Sequence, residues 1–183
     1  MRIKPGTPAP HFDTQDAFGT PIALEDYKGK WLLLSFMRNG ACAICNLRVH
    51  ELIEHFTKLQ QHKLEIITVF ESPASSIQQY VGKQDAPFPI VPDPQAKLYE
   101  LYGLETSEEK VNATMIRAET PGIIQQAAAN GFELTPEEGG NFFRMPADFL
   151  IGPDLTVRTA HYAEYVYDHL GFDKLEQALL TAH

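Results

Sequence analysis

From Trp31 to Met37 the chain reads Trp-Leu-Leu-Leu-Ser-Phe-Met, apolar at every position except Ser35. A short continuous run, without the alternation of a half-solvated strand, belongs in a strand covered on both faces. It is far too short to span a bilayer. A polar turn, Arg38-Asn39-Gly40-Ala41, leads to Cys42-Ala43-Ile44-Cys45. Beyond it Ile44, Leu47, Leu52, Ile53, Phe56 and Leu59 mostly recur at helical spacing and build one apolar face. Lys63 to Phe70 then resumes a strand pattern. Strand, helix and strand in that order form a parallel crossover unit, so the chain is expected to be α/β.

The flanking signals are weaker. Turns at Gly6-Thr7-Pro8, Phe18-Gly19 and Lys28-Gly29 suggest an extended N-terminal arm or hairpin. Ser72-Pro73-Ala74-Ser75 has N-cap chemistry and predicts a helix to about Gln84, stopped by Pro87 and Pro89. Pro94 is placed to open a helix through Tyr102, which Gly103 ends. Glu108–Ala118 and Gly122–Asn130 read as helical, and Glu138-Gly139-Gly140-Asn141 as loop. Ala147–Ile151 reads as a strand, Gly152–Leu155 as a turn, Thr156–His161 as its antiparallel partner, and Phe172–Ala182 as an amphipathic helix. With no repeat, low-complexity tract or linker, residues 1–183 are expected to form one domain.

Hydrophobic residues at 44% and charged residues at 21% predict a packed core. A formal net charge of -9, with no local run of Lys or Arg, argues against nucleic-acid binding. The opening Met1–Pro10 lacks the apolar core of a secretory signal, so a cytoplasmic protein with no membrane partner is expected.

The two cysteines, Cys42 and Cys45, are three residues apart. A loop that small yields little entropic stabilisation when closed, which disfavours a structural disulfide. The nucleophile in thiol chemistry is the thiolate, and a helix N-terminus stabilises it through unpaired N–H groups and the helix dipole. Arg38 and Arg48 are the nearest cations in sequence. Redox chemistry is therefore favoured over two inert buried thiols.

At this point the chain resembles the peroxiredoxin-like AhpC/TSA family of the thioredoxin superfamily, in its branch that carries a C-x-x-C pair. The resemblance rests on several segments in family order. These are Pro8-Ala9-Pro10-His11-Phe12 with Gly19 and Leu24–Gly29, Leu33–Phe36, Phe88-Pro89-Ile90-Val91-Pro92-Asp93 with Tyr102-Gly103, and Met145–Ile151. It implies a thioredoxin-like fold, a central mixed β-sheet flanked by helices, with an N-terminal extension and a helical insert over 104–143. It also implies a thiol-dependent antioxidant enzyme without cofactor. Its substrate is a peroxide or a disulfide, its reductant a thiol such as thioredoxin or glutathione, and a homodimer is a possible assembly.

The same resemblance implies roles for single residues. Pro146 looks like the proline that faces the active-site cysteines and is expected to be cis. Arg144 lies near the position of a thiolate-stabilising arginine, offset by about two residues. Family members carry a proline and a threonine seven and three residues before the peroxide-attacking cysteine. In that register Cys45 attacks, Cys42 replaces the threonine and Arg38 the proline; in a thioredoxin register Cys42 attacks and Cys45 resolves. The greater exposure usual for the first cysteine of such a pair favours Cys42.

Three other readings compete. Two cysteines form half of a zinc site, but His50 and His55 are five apart and do not share a helix face. His11, His62, His161, His169 and His183 are scattered and are expected at the surface. A non-catalytic adaptor that retains the cysteines is the remaining alternative, as is a protein disulfide reductase in place of a peroxidase.

Overall fold

The computed structural model describes residues 1–181; Ala182, expected to end the last helix, and His183 lie outside them. Its centre is the crossover unit read from the sequence. Trp31–Phe36 forms a strand (β3) buried at every position, Ala43–Gln60 a helix (α1), and Leu64–Phe70 a second strand (β4). β3 and β4 are parallel, with Trp31 opposite Leu64 and Phe36 opposite Val69. Ahead of them Asp13–Gln15 (β1) and Pro21–Ala23 (β2) make the expected antiparallel hairpin.

Three further strands complete a five-stranded mixed sheet: Ile90–Pro92 (β5), Ala147–Ile151 (β6) and Val157–Tyr162 (β7), in the order β5-β4-β3-β6-β7. β5 is parallel to β4, whereas β6 is antiparallel to β3 and β7 to β6. Because side chains alternate along a strand, β3 serves two cores. Leu33 and Met37 pack with Val49 and Leu52 of α1 and with Leu175 and Leu179 of a C-terminal helix, Phe172–Thr181. Leu32, Leu34 and Phe36 meet Phe149, Tyr99 and Tyr102 on the opposite face. Truncating one of these fully buried leucines to alanine costs about 2–5 kcal/mol.

The helices after β4 are shorter than their sequence signals, for local reasons. The first spans Ala74–Gln79 and gives way to a 3-10 turn, Val81–Gln84. Tyr80 between them has φ -115 and ψ -93, outside helical space. Gly82 closes the bend, since a Cβ there would come within 2.8 Å of the Ile77 carbonyl oxygen. The next helix does not start at Pro94. It spans Lys97–Leu101 because the Asp93 carboxylate caps it, accepting from the N–H groups of Lys97 at 3.0 Å and Leu98 at 2.7 Å. Gly103, at φ +72, ends it as expected.

Glu108–Met115 (with Ser107 as N-cap) and Thr120–Ala129 are the two helices of the 104–143 segment. The second lays Ala127 and Ile123 against Ala43 and Leu47 of α1. The ends of the segment are tied together: Ser107 N–H donates to Phe143 O at 2.8 Å and Met145 N–H to Glu105 O at 3.1 Å. The segment is thereby held over the start of α1. No helix among the described residues is long and apolar enough to cross a membrane.

Candidate active site

Cys42 is the N-cap of α1, in extended conformation at φ -63 and ψ 113, and its sulfur accepts the Cys45 backbone N–H at 3.3 Å. Both cysteines are free thiols, Cys42 half-buried and Cys45 only 1% exposed. The turn that presents them is tightly pinned. Gly40 N–H donates to Ser72 Oγ at 2.8 Å, and Asn46 Nδ2 donates to the carbonyls of Gly40 and Cys42, each at 2.9 Å. Ser72 Oγ in turn donates to Glu137 Oε2 at 2.9 Å.

Arg38 is not a solvated side chain. It is 5% exposed, donates from Nε to Arg144 O at 3.2 Å and from Nη2 to Phe142 O, and lies 5.1 Å from the Phe142 ring centre. Its recorded partners are carbonyls, and among the described residues no carboxylate pairs with it. A buried guanidinium satisfied in hydrogen bonds but not in charge favours an anion nearby. The thiols respond in opposite directions. A hydrogen bond from the Cys45 side chain is the strongest influence on Cys42 and lowers it. Burial opposes this, Arg38 and the backbone N–H groups of Cys45 and Ile44 add to the lowering, and the Cys42 pKa falls to about 6. Burial first, and then Cys42 itself, push the Cys45 thiol well above its ordinary value.

Cys42 opens into a cleft of about 360 Å³ walled by Ile44 of α1, by Met115 and Ile124, and by the strap that carries Leu134, Glu137 and Phe142. Arg38 and Asn39 complete its wall on the β3 side. Met145 packs with Ile44 and Cys42 in one apolar cluster.

A family model described as AhpC/TSA matches residues 5–160. The chain belongs to the AhpC/TSA family. Two sequence relatives agree with that membership and carry different names. One is Peroxiredoxin 2 of Caldanaerobacter subterraneus subsp. tengcongensis, 30% identical over 61% of this chain and 54% of that protein. The other is the thiol-disulfide oxidoreductase ResA of Bacillus thuringiensis subsp. konkukian, 27% identical over 56% of this chain and 60% of ResA. The matched part thus covers less than two thirds of either relative. Among solved structures, peroxidoxin BcpB from Mycobacterium tuberculosis superposes with a TM-score of 0.68 over 98% of this chain and 96% of that one, at 15% identity. The AhpC/TSA chain has the thioredoxin-like fold, a mixed sheet flanked by helices, as the sequence resemblance implies.

Within that frame two expectations are corrected. The Met145–Pro146 bond is trans, as are all peptide bonds among the described residues. Pro146 stands just before β6, where the missing N–H breaks no ladder bond, and trans is the lower-energy isomer of an X–Pro bond. His169 is not a surface residue: its side chain is 5% exposed, and Nδ1 lies 3.1 Å from Oδ2 of the fully buried Asp148. Arg48, the other cation near the pair in sequence, is buried too. It donates from Nη2 to Leu170 O at 2.8 Å and stacks 4.6 Å from the Phe172 ring centre.

Arg144 and Arg38 meet, but not as two cations on the thiols. The Arg144 guanidinium grips both oxygens of Glu71 and lies 4.8 Å from the Tyr99 ring centre, while its backbone carbonyl receives Arg38. Sequence reasoning missed Asn46, whose amide ties the turn from four and six residues away, and Ser72 and Glu137, which act through pairing across distant segments. Among the described residues no three His, Cys, Asp or Glu side chains gather into a metal-binding group.

Proposed function

We propose that this protein reduces peroxides through a Cys42/Cys45 dithiol–disulfide cycle. The observation that carries the reading is the pair of opposite shifts at one helix N-terminus. A half-buried Cys42 that opens into the cleft is lowered to about 6, beside a buried Cys45 raised well above its ordinary value. At neutral pH Cys42 is then the anion and Cys45 the proton-bearing reserve. The Cys42 thiolate attacks a peroxide oxygen; an S–O bond forms, the O–O bond breaks and the departing oxygen takes a proton as alcohol or water. Cys45 attacks the Cys42 sulfenic acid, closing the disulfide and releasing water. Two equivalents of thiol, from thioredoxin or glutathione, restore the dithiol by exchange. No cofactor enters the cycle.

In this reading Arg38 stabilises the Cys42 thiolate. Arg144 is a positioning residue, orienting Arg38 through its carbonyl, and Pro146 starts the strand behind the site. The chain acts as one domain over 1–183 in the cytoplasm, with 104–143 as an insert over Cys42, and a homodimer would be seen by sizing chromatography. A disulfide reductase is the second reading, favoured by the C-x-x-C pair and by the ResA likeness. One experiment weighs these readings and the adaptor. Reduced protein and its Cys42→Ser and Cys45→Ser variants are treated with equimolar hydrogen peroxide, the remaining thiols are alkylated, and intact masses are read beside an insulin-reduction assay. Conversion of both wild-type thiols to an internal disulfide is expected. Two persistently free thiols would remove the peroxidase, and inactivity in both assays would leave the adaptor.

A further inference from the structure

The cleft above Cys42 contains a polar group that the dithiol cycle leaves idle. Asn39, in the turn after β3, is 8% exposed and forms part of the cleft wall. Its backbone carbonyl is occupied, accepting the Cys42 N–H at 3.1 Å. Its side-chain Oδ1 is sealed from solvent and has no hydrogen-bond partner among the described residues. Asn46, close by, shows what a structural amide looks like here: it donates to two carbonyls at 2.9 Å and accepts from Gln84 Nε2 at 3.2 Å. A buried amide oxygen with no partner carries an unrecovered desolvation cost. That cost is borne in the wall of the cleft through which a substrate must reach Cys42.

The remaining wall restricts what can complete the amide. It is mainly apolar, and Met115, Leu134 and Phe142 stay 42%, 64% and 57% exposed around the opening. Large apolar side chains gathered at one opening mark a binding surface. An amide offers a donor and an acceptor, and a half-turn about its broad terminal torsion exchanges which of them faces the cleft. Its complement is a group with an O–H and a bare oxygen side by side. The end of a hydroperoxide has both, whereas a disulfide has no proton to give.

We propose that the Asn39 side-chain amide holds the O–O–H end of an organic hydroperoxide, with its apolar group in the cleft, in line with the Cys42 sulfur. The proposal rests on the peroxidase reading and adds to it the residue that orients the substrate. The amide accepts a hydrogen bond from the hydroperoxide O–H through Oδ1, or donates one through Nδ2 to the oxygen that departs. The Cys42 thiolate displaces that oxygen, the S–O bond forms as the O–O bond breaks, and the departing alkoxide is protonated by solvent to the alcohol. A donor aimed where charge develops lowers the barrier more than it tightens binding.

The test is stopped-flow oxidation of Cys42 by cumene hydroperoxide in wild type, Asn39→Leu and Asn39→Ser, beside alkylation by iodoacetamide. Asn39→Leu should slow oxidation about tenfold or more while alkylation stays within about twofold, since alkylation reads the thiolate and not the orientation of an O–O bond. Asn39→Ser, which keeps a small donor and acceptor, should recover part of the rate and serves if the leucine variant does not fold. Variants that oxidise at the wild-type rate, or that lose oxidation and alkylation in parallel, overturn the role of Asn39. A wild-type protein that reacts with no peroxide overturns the peroxidase reading itself, and is told apart because the wild-type trace alone reveals it.

Discussion

Replacing Cys45 with alanine removes the strongest influence holding Cys42 down, the hydrogen bond from the Cys45 side chain. A hydrogen bond to a charged acceptor contributes about 1.5–3 kcal/mol, and about 1.4 kcal/mol moves a pKa by one. The midpoint of thiolate formation at Cys42, about 6 in the native dithiol, should therefore rise by roughly 1–2. It should not return fully to that of a free thiol, because the backbone N–H of residue 45 and the Arg38 guanidinium remain. At a pH equal to the native midpoint, the thiolate fraction falls from about one half to roughly 1–10%. The assay is thiolate absorbance against pH in reduced protein, which in this variant reports a single thiol. Cys45→Ser is the control: it also leaves one thiol but keeps an O–H donor, so its midpoint should lie closer to wild type. Alanine and serine variants that titrate together would refute the claim that the neighbouring donor sets the Cys42 pKa.

Arg38→Met keeps the stem but removes the charge. It should raise the Cys42 midpoint by less than Cys45→Ala does, because Arg38 ranks below the hydrogen bond, and should loosen the strap whose Phe142 carbonyl it holds; titration and limited proteolysis check the two effects. Asp148→Asn removes the buried partner of His169 and should lower the unfolding free energy in urea by about 3–5 kcal/mol. Burial pushes the Asp148 carboxyl up, but His169, Arg48 and Ser35 outweigh it and hold it below the ordinary range. Its stabilisation is thus fully present above the unfolded-state pKa of about 4 and fades as pH falls toward the lower native value, so the wild-type and Asp148→Asn stabilities should converge in strong acid.

The features legible in the sequence were those written in adjacent residues. The apolar run from Trp31 announced β3, the periodicity after Cys42 announced α1, and the Cys42/Cys45 spacing put a sulfur at a helix cap. Features formed by distant segments were not legible. Asp148 and His169 are separated by most of β6, β7 and a loop, and nothing local distinguishes a buried histidine from a surface one. Arg144 carried a family expectation of its own, yet its side chain is claimed by Glu71, seventy-three residues away. Helix ends failed where a side chain overrode a propensity: Asp93 reached forward to cap Lys97 and Leu98, so the helix began three residues beyond Pro94.

The opposite shifts of the two thiols also give the proposed cycle a direction. Before oxidation, burial, the side-chain hydrogen bond to Cys42 and the negative charge there all push the Cys45 thiol up. A second thiolate there would be costly, so the pair offers one nucleophile, the one that faces the cleft. Oxidation of Cys42 to a sulfenic acid removes its charge, and with it two of the three causes that raise Cys45. Arg38 and a backbone hydrogen bond, which pull Cys45 down, stay in place. Burial is then the one opposing influence left, and the resolving thiol becomes easier to ionise once it has an electrophile to attack. A fixed arrangement with both thiols equally acidic would lack this order, since either sulfur would compete for the first oxidant.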